Sequence, residues 1–204
     1  MSFVSLWLIL LLNTRKLPHQ LPTFDRDGVL QTVIETPKGS RNKFDFEPES
    51  GLFKLGGAMP AGAIFPFDFG FVPSTLGEDG DPLDVLLLMD APAFAGCLVG
   101  ARLVGVIEAN QTERDGSMVR NDRLIAVAEH SRVQSEVQSV EHLNSARLDE
   151  IEYFFQSYNT FKGKTFEVLA RSDGERALQL VHAGQALYNQ KSSPRKTTLR
   201  KKKA

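Results

Sequence analysis

Glu78-Asp79-Gly80-Asp81-Pro82-Leu83-Asp84-Val85-Leu86-Leu87-Leu88 places four carboxylates within seven residues and then runs straight into an apolar segment. Carboxylates that close repel one another unless positive charge sits among them, and such an oxygen-rich nest suits a hard divalent cation such as Mg²⁺. In an extended segment, residues two apart point the same way, so Asp79 and Asp81 can address one ion cluster. Gly80 permits a tight turn, and Pro82 stiffens it before Asp84 enters the next strand. A solvated acidic turn is the competing reading, because Asp-Gly-Asp-Pro is also ordinary turn vocabulary. A calcium loop of the EF-hand kind is excluded: its sixth position needs glycine and here is Asp84, with Pro82 at the fourth.

The elements that must position this cluster are legible as a change of period. Residues 29–35, 43–47 and 51–54 read as short strands separated by turn chemistry rich in Pro, Gly, Ser and Asn. Phe44 and Phe46 alternate with Lys43, Asp45 and Glu47, which predicts one aromatic and one charged face. Phe65, Phe67, Phe69 and Phe71 alternate as a buried strand face would, and residues 85–89, 98–107 and 123–128 are β-rich runs. Leu148, Ile151, Phe154, Phe155 and Tyr158 then recur at helical spacing behind a capping Asn144 or Ser145. A short strand over 166–170 and a second helix over 175–190 follow. Strands first and helices last predict a closed or nearly closed sheet with helices packed outside it.

The totals fit one compact domain of 204 residues with 42% apolar content. A single cysteine, Cys97, makes an intrachain disulfide impossible and fits a reducing compartment, as a small buried residue. The net charge of −1 conceals an asymmetry: residues 191–204 hold seven of the 24 basic residues and no acid, so the body is acidic. That basic tail reads as solvated and disordered, with contact to nucleic acid or anionic membrane as the alternative. Residues 3–12 (FVSLWLILLL) are strongly apolar but half the ~20 residues a spanning helix needs. The expected organisation is an apolar extension over 1–20, a single catalytic domain over 21–190 and the tail over 191–204.

Other segments bear on the acidic cluster. ETPKGSRNK (35–43), FPFDFGFVP (65–73), EDGDPLDVLLL (78–88), Val104-Gly105-Val106 and RLIAV (123–127) resemble, in order and approximate spacing, the soluble Mg²⁺-dependent inorganic pyrophosphatases of the β-barrel type. The resemblance covers about residues 29–164, and DGDPLDVL is close to a signature of that family. It implies an α+β, mainly β fold: a five-stranded OB-like closed barrel with additional strands and two flanking C-terminal helices. It also implies hydrolysis of pyrophosphate to two orthophosphates with several Mg²⁺ ions per site, in a cytoplasmic homo-oligomer. An organellar or membrane-associated location is left open by residues 3–12.

By matching positions, Asp79 and Asp84 resemble ligands of the primary metal, Asp84 bridging to a second, and Asp81 resembles the general base. Glu35 and Asp45 correspond to carboxylates lining the cavity, Asp45 being shortened from the usual Glu. Lys43 and Tyr158 correspond to phosphate contacts. Taken alone, Lys43 would be a solvated strand lysine, Glu35 a strand-end charge and Tyr158 part of the helix's apolar stripe. The pattern also departs from the family. Gly57 stands where an arginine clamps phosphate, for which Lys54 or Arg41 are substitutes, and Phe69 replaces a tyrosine. Asn121, beside Asp122, replaces an aspartate of the metal site, and Asn159 replaces a lysine. Glu113 and Asp115 are candidates for the next acidic ligand. The alternative is a catalytically weakened scaffold or binding protein that uses its basic tail.

Overall fold

The structure is a computed structural model that describes residues 16–113 and 115–192. The apolar run 3–12 and the tail from residue 193 lie outside the described residues. Among the described residues, nine strands and two α-helices succeed one another: β1 (Leu30–Thr36), β2 (Asn42–Glu47), β3 (Leu52–Ala58), β4 (Asp68–Phe71), β5 (Asp84–Leu88), β6 (Leu98–Thr112), β7 (Met118–Arg120), β8 (Arg123–Ala128), α1 (Ser145–Phe161), β9 (Phe166–Asp173) and α2 (Gly174–Ser192). Five strands close on themselves. β1 pairs with β4, β4 with β5, β5 with β8 and β8 with β6, and β6 returns to β1 through Leu30↔Ala101 to Val33↔Leu98. Only β5 and β8 run parallel within this ring. β7 and β9 extend it along the long β6, while β2 and β3 form a separate antiparallel hairpin.

The runs DVLLL and RLIAVA lack polar alternation because both faces of β5 and β8 are covered. Leu86, Leu88, Ile125 and Val127 point into a core completed by Leu148, Ile151 and Phe155 of α1. Their neighbours Val85, Leu87, Leu124 and Ala126 enter a second core, completed by Ala177 and Val181 of α2. Asn144 caps α1, its Oδ1 accepting the Ala146 N–H at 2.9 Å, and Asp173 accepts the Arg176 N–H at the start of α2.

Three local expectations change. In β2 it is Lys43, on the expected charged face, that is buried, while Phe44 and Phe46 are half-buried; this face looks into a cavity rather than solvent. Of the alternating phenylalanines only Phe69 and Phe71 lie in a strand, and all four residues of β4 are buried, including Asp68. Asp68 Oδ1 accepts the backbone N–H of Lys38 and Ala93, which ties two loops to the ring. Cys97 is half-buried rather than enclosed, and that burial pushes its thiol pKa up.

A charged knot fastens α2 and β9 to the ring. Glu108 of β6 accepts from Arg176 Nη2 at 3.0 Å, from Ser172 Oγ at 2.6 Å and from Arg120 of β7. Hydrogen bonding from Arg176, outweighing desolvation, holds the Glu108 carboxyl down at about 2. A carboxyl depressed in the folded state contributes stability above its unfolded value of 4.5, and that contribution disappears as the pH falls through about 2. Glu108→Gln should therefore flatten the decline in urea midpoint between pH 4.5 and 2 relative to wild type; equal slopes would remove Glu108 as a source of the acid sensitivity.

Candidate active site

A cavity of about 680 Å³ opens at one end of the ring. Glu35 enters it from the end of β1, Lys43 and Asp45 from β2, and Asp79 and Asp81 from the loop before β5. Asp84 stands at the head of β5, Asn121 just before β8, and Tyr158 in the last turn of α1. The eight residues given roles from the sequence, Asp81, Lys43, Tyr158, Asp79, Asp84, Asn121, Glu35 and Asp45, thus line one space, although they are up to 123 positions apart in the chain.

The acidic loop is held by its own backbone. The Gly77 N–H donates to the Asp81 carbonyl at 2.7 Å, the Asp81 N–H to Asp79 Oδ1 at 3.1 Å, and Gly80 takes a φ of 92° that favours glycine. Helix α2 braces it from behind. The Leu76 N–H donates to the Gly184 carbonyl at 3.0 Å, and a Cβ on Gly184 would lie 2.8 Å from Leu83 Cδ1 and 3.2 Å from the Leu76 carbonyl oxygen, so a larger residue would have to push Leu83 aside.

Lys43 is the buried cation opposite. Its Nζ lies 2.7 Å from Asp45 Oδ1, 3.1 Å from Glu35 Oε2 and 2.7 Å from the Phe44 carbonyl, over the Phe69 ring at 4.9 Å. Burial would lower its pKa, but the two carboxylates outweigh it and keep the ammonium charged. Phe69 therefore lends a ring face to Lys43 where a tyrosine would add a hydroxyl. Burial pushes Glu35 up against the pull of Lys43. Asp79 and Asp81 keep contact with solvent, yet desolvation of their carboxyls raises both, Asp79 to about 6, and neighbouring carboxylates add to it. Burial likewise pushes Tyr158 up to about 12, so its hydroxyl is a neutral donor.

This donor set fits a hard divalent cation: the groups are oxygens, the carboxylates of Asp79, Asp81 and Asp84 beside the amide of Asn121. Among the described residues, no three His, Cys, Asp or Glu side chains form a ready-made metal cage. Mg²⁺ asks for less, since it usually keeps several waters and takes one or two carboxylates besides substrate phosphates.

A family model described as inorganic pyrophosphatase matches residues 32–189. The chain belongs to the inorganic pyrophosphatase family. Relatives named inorganic pyrophosphatase include one from Synechocystis, 36% identical over 162 residues covering 79% of this chain and 93% of the relative. Another, from Thermus thermophilus, is 36% identical over 172 residues, covering 82% and 95%. The crystal structure of inorganic pyrophosphatase from Thermus thermophilus superposes with a TM-score of 0.78 at 33% identity, covering 85% of this chain and 99% of that one. That from Helicobacter pylori gives 0.74 at 30% identity, covering 86% and 99%.

Within this pyrophosphatase frame the departures acquire positions. Gly57 pairs with Lys43 across the hairpin, and nothing lies within 4 Å of where its Cβ would be. Lys54 instead pairs with Glu47 and Arg41 donates to the Met59 carbonyl, so neither lines the cavity. Asn159 is buried and donates to the Phe155 carbonyl of its own helix. Of the further acidic candidates, Glu113 lines the cavity beside Lys164 at 2.6 Å, whereas Asp115 bonds Ser117 outside it.

Sequence reasoning missed Arg123, Lys162, Lys164 and His19 as lining residues. A signal existed for Arg123, because a charge heading an otherwise apolar buried strand must find a partner. His19 falls within the expected extension, in the 3-10 turn Pro18–Gln20, and its carbonyl accepts the Ser74 N–H at 2.9 Å. Removing Lys43 leaves Glu35 half-buried beside Asp45 without its cation. Lys43→Met should lose about 3 kcal/mol of unfolding free energy, and adding Glu35→Gln should restore part of it in urea titrations; strictly additive losses would refute the coupling.

Proposed function

We propose that this chain hydrolyses inorganic pyrophosphate to two orthophosphates. The observation that carries the reading is the meeting of a carboxylate cluster with Lys43, Arg123, Lys162 and Lys164 in one cavity of a pyrophosphatase fold. Pyrophosphate is strongly anionic, so its site needs positive charge for the phosphates and a carboxylate for the water proton. Divalent cations, Mg²⁺ by preference and several per site, would supply charge neutralisation and make the attacking water more acidic. Asp79, Asp84, Asn121, Glu35 and Asp45 are the candidate ligands.

Asp81 is the proposed general base. Desolvation and the carboxylates around it raise its pKa, which makes it a better proton acceptor than a free aspartate. Lys43 holds a phosphate oxygen as a fixed charge, and Tyr158 donates its hydroxyl to the same group. Lys162, whose Nζ contacts the Tyr158 hydroxyl, and Lys164 stand on the same wall and support the phosphate clamp that Gly57 cannot provide.

The same proposal includes a single catalytic domain over residues 21–190, self-association and a cytoplasmic address, the last supported by the lone Cys97. No helix among the described residues is long and apolar enough to cross a membrane. Phosphate release from pyrophosphate should require Mg²⁺, and Asp81→Asn should lower kcat by about 10²- to 10⁴-fold with the fold intact. Folded wild-type protein that releases no phosphate at any Mg²⁺ concentration would instead favour the scaffold reading.

A further inference from the structure

Residues 17–23 precede the stretch that the family model matches, yet they are tied to two elements that carry site residues. One is the β2–β3 hairpin, which bears Lys43 and Asp45. The His19 ring lies 5.5 Å from that of Phe46, and Leu17 Cδ2 is 3.1 Å from where a Cβ on Gly51 would stand in the hairpin turn. The other is the loop that leads to Asp79. There the Ser74 N–H donates to the His19 carbonyl at 2.9 Å, Ser74 Oγ to the Leu21 carbonyl at 2.8 Å, and Thr23 Oγ1 to the Pro73 carbonyl at 2.9 Å. Ser74 takes a φ of 51°, in the left-handed region that disfavours a serine, and the first two of these bonds hold it there. His19 therefore lines the cavity from a fixed backbone.

The two ring nitrogens differ. Nδ1 is enclosed and has no hydrogen-bond partner among the described residues. A proton there would be a buried donor with nothing to receive it, so the neutral ring carries its proton on Nε2, the nitrogen left to meet a ligand. The imidazolium form needs protons on both nitrogens, and burial lowers the His19 pKa. What results is a neutral N–H donor in the same cavity as Lys43, Lys162 and Lys164. Such a donor meets a phosphate oxygen without repelling divalent cations beside the acidic loop. It also has a place to fill, because Gly57 has no side chain and the Asn159 amide is turned to the Phe155 carbonyl.

We propose that His19 is a substrate contact of this site: its Nε2–H donates to a phosphate oxygen of the bound diphosphate from the cavity wall. The inference rests on the pyrophosphatase reading and adds a donor that lies before the matched stretch. The imidazole transfers no proton; it binds, and the handling of water stays with the carboxylates.

The test uses the full chain with ¹⁵N-labelled histidine and, in the presence of Mg²⁺, methylenediphosphonate, a pyrophosphate whose bridging oxygen is replaced by a methylene. Saturation should shift the His19 Nε2 resonance and keep Nδ1 at the value of an unprotonated nitrogen. His130, His142 and His182, none of which lines the cavity, should stay in place. In steady-state hydrolysis His19→Ala should raise KM for pyrophosphate about tenfold, the worth of one hydrogen bond to a charged group, with kcat changed far less. His19→Gln, whose amide N–H can take the same place, should recover part of that rise. A KM rise that His19→Gln does not relieve, or a fall in kcat alone, marks a packing role and overturns the inference. If His19→Ala fails to fold, the wild-type resonances decide. Wild type that hydrolyses pyrophosphate while saturating methylenediphosphonate leaves the His19 signals unmoved overturns the inference alone. Folded wild type that releases no phosphate from pyrophosphate overturns the hydrolase reading with it.

Discussion

Everything at the site depends on the pairing of β1 with β6 that closes the strand ring. Without Leu30↔Ala101 and its neighbours, the sheet would be an open ribbon whose ends carry Glu35 and Asn121 away from each other. Closure also gives β5 and β8 two covered faces, each with its own helix, and so makes rigid the two strands whose first residues are Asp84 and Arg123. Burial on both faces is a hydrophobic gain that a one-sided sheet of this length lacks. It is the physical source of the stiffness that holds like charges near one another.

The electrostatics follow from that confinement. Carboxylates brought together this way must be compensated locally or have their pKa values raised, and both occur. Glu35, Asp45, Asp84 and Glu113 have lysine or arginine partners, although burial still raises Glu35, and desolvation raises Asp79 and Asp81. The residual negative charge is concentrated at the loop that the fold leaves in contact with solvent.

How much of this was readable beforehand varied with the kind of signal. The acidic loop, the helix under Leu148 to Tyr158 and the strand at 123–128 were legible because each is a local pattern: turn residues, a 3.6 period, an apolar run. The burial of Lys43 was not, because alternation along β2 cannot say whether the second face meets water or a cavity closed by other strands. Arg123 was hidden by the apolar run it heads, and the place of Asn159 by a helix-internal bond to Phe155 that spacing does not show. The extension of β6 to Thr112 and the short β7 escaped for a related reason, since both depend on partners distant in the chain.

The bond from the Leu76 N–H to the Gly184 carbonyl has a consequence for how the site comes into being during synthesis. In chain order the acidic loop precedes β6, β8 and α1, whereas the helix that braces it follows all of them. Until α2 has emerged and docked, Asp79 and Asp81 belong to a loop that lacks this brace. The nascent barrel can collapse early, whereas its acidic mouth takes its final shape only once nearly all of the described chain is available.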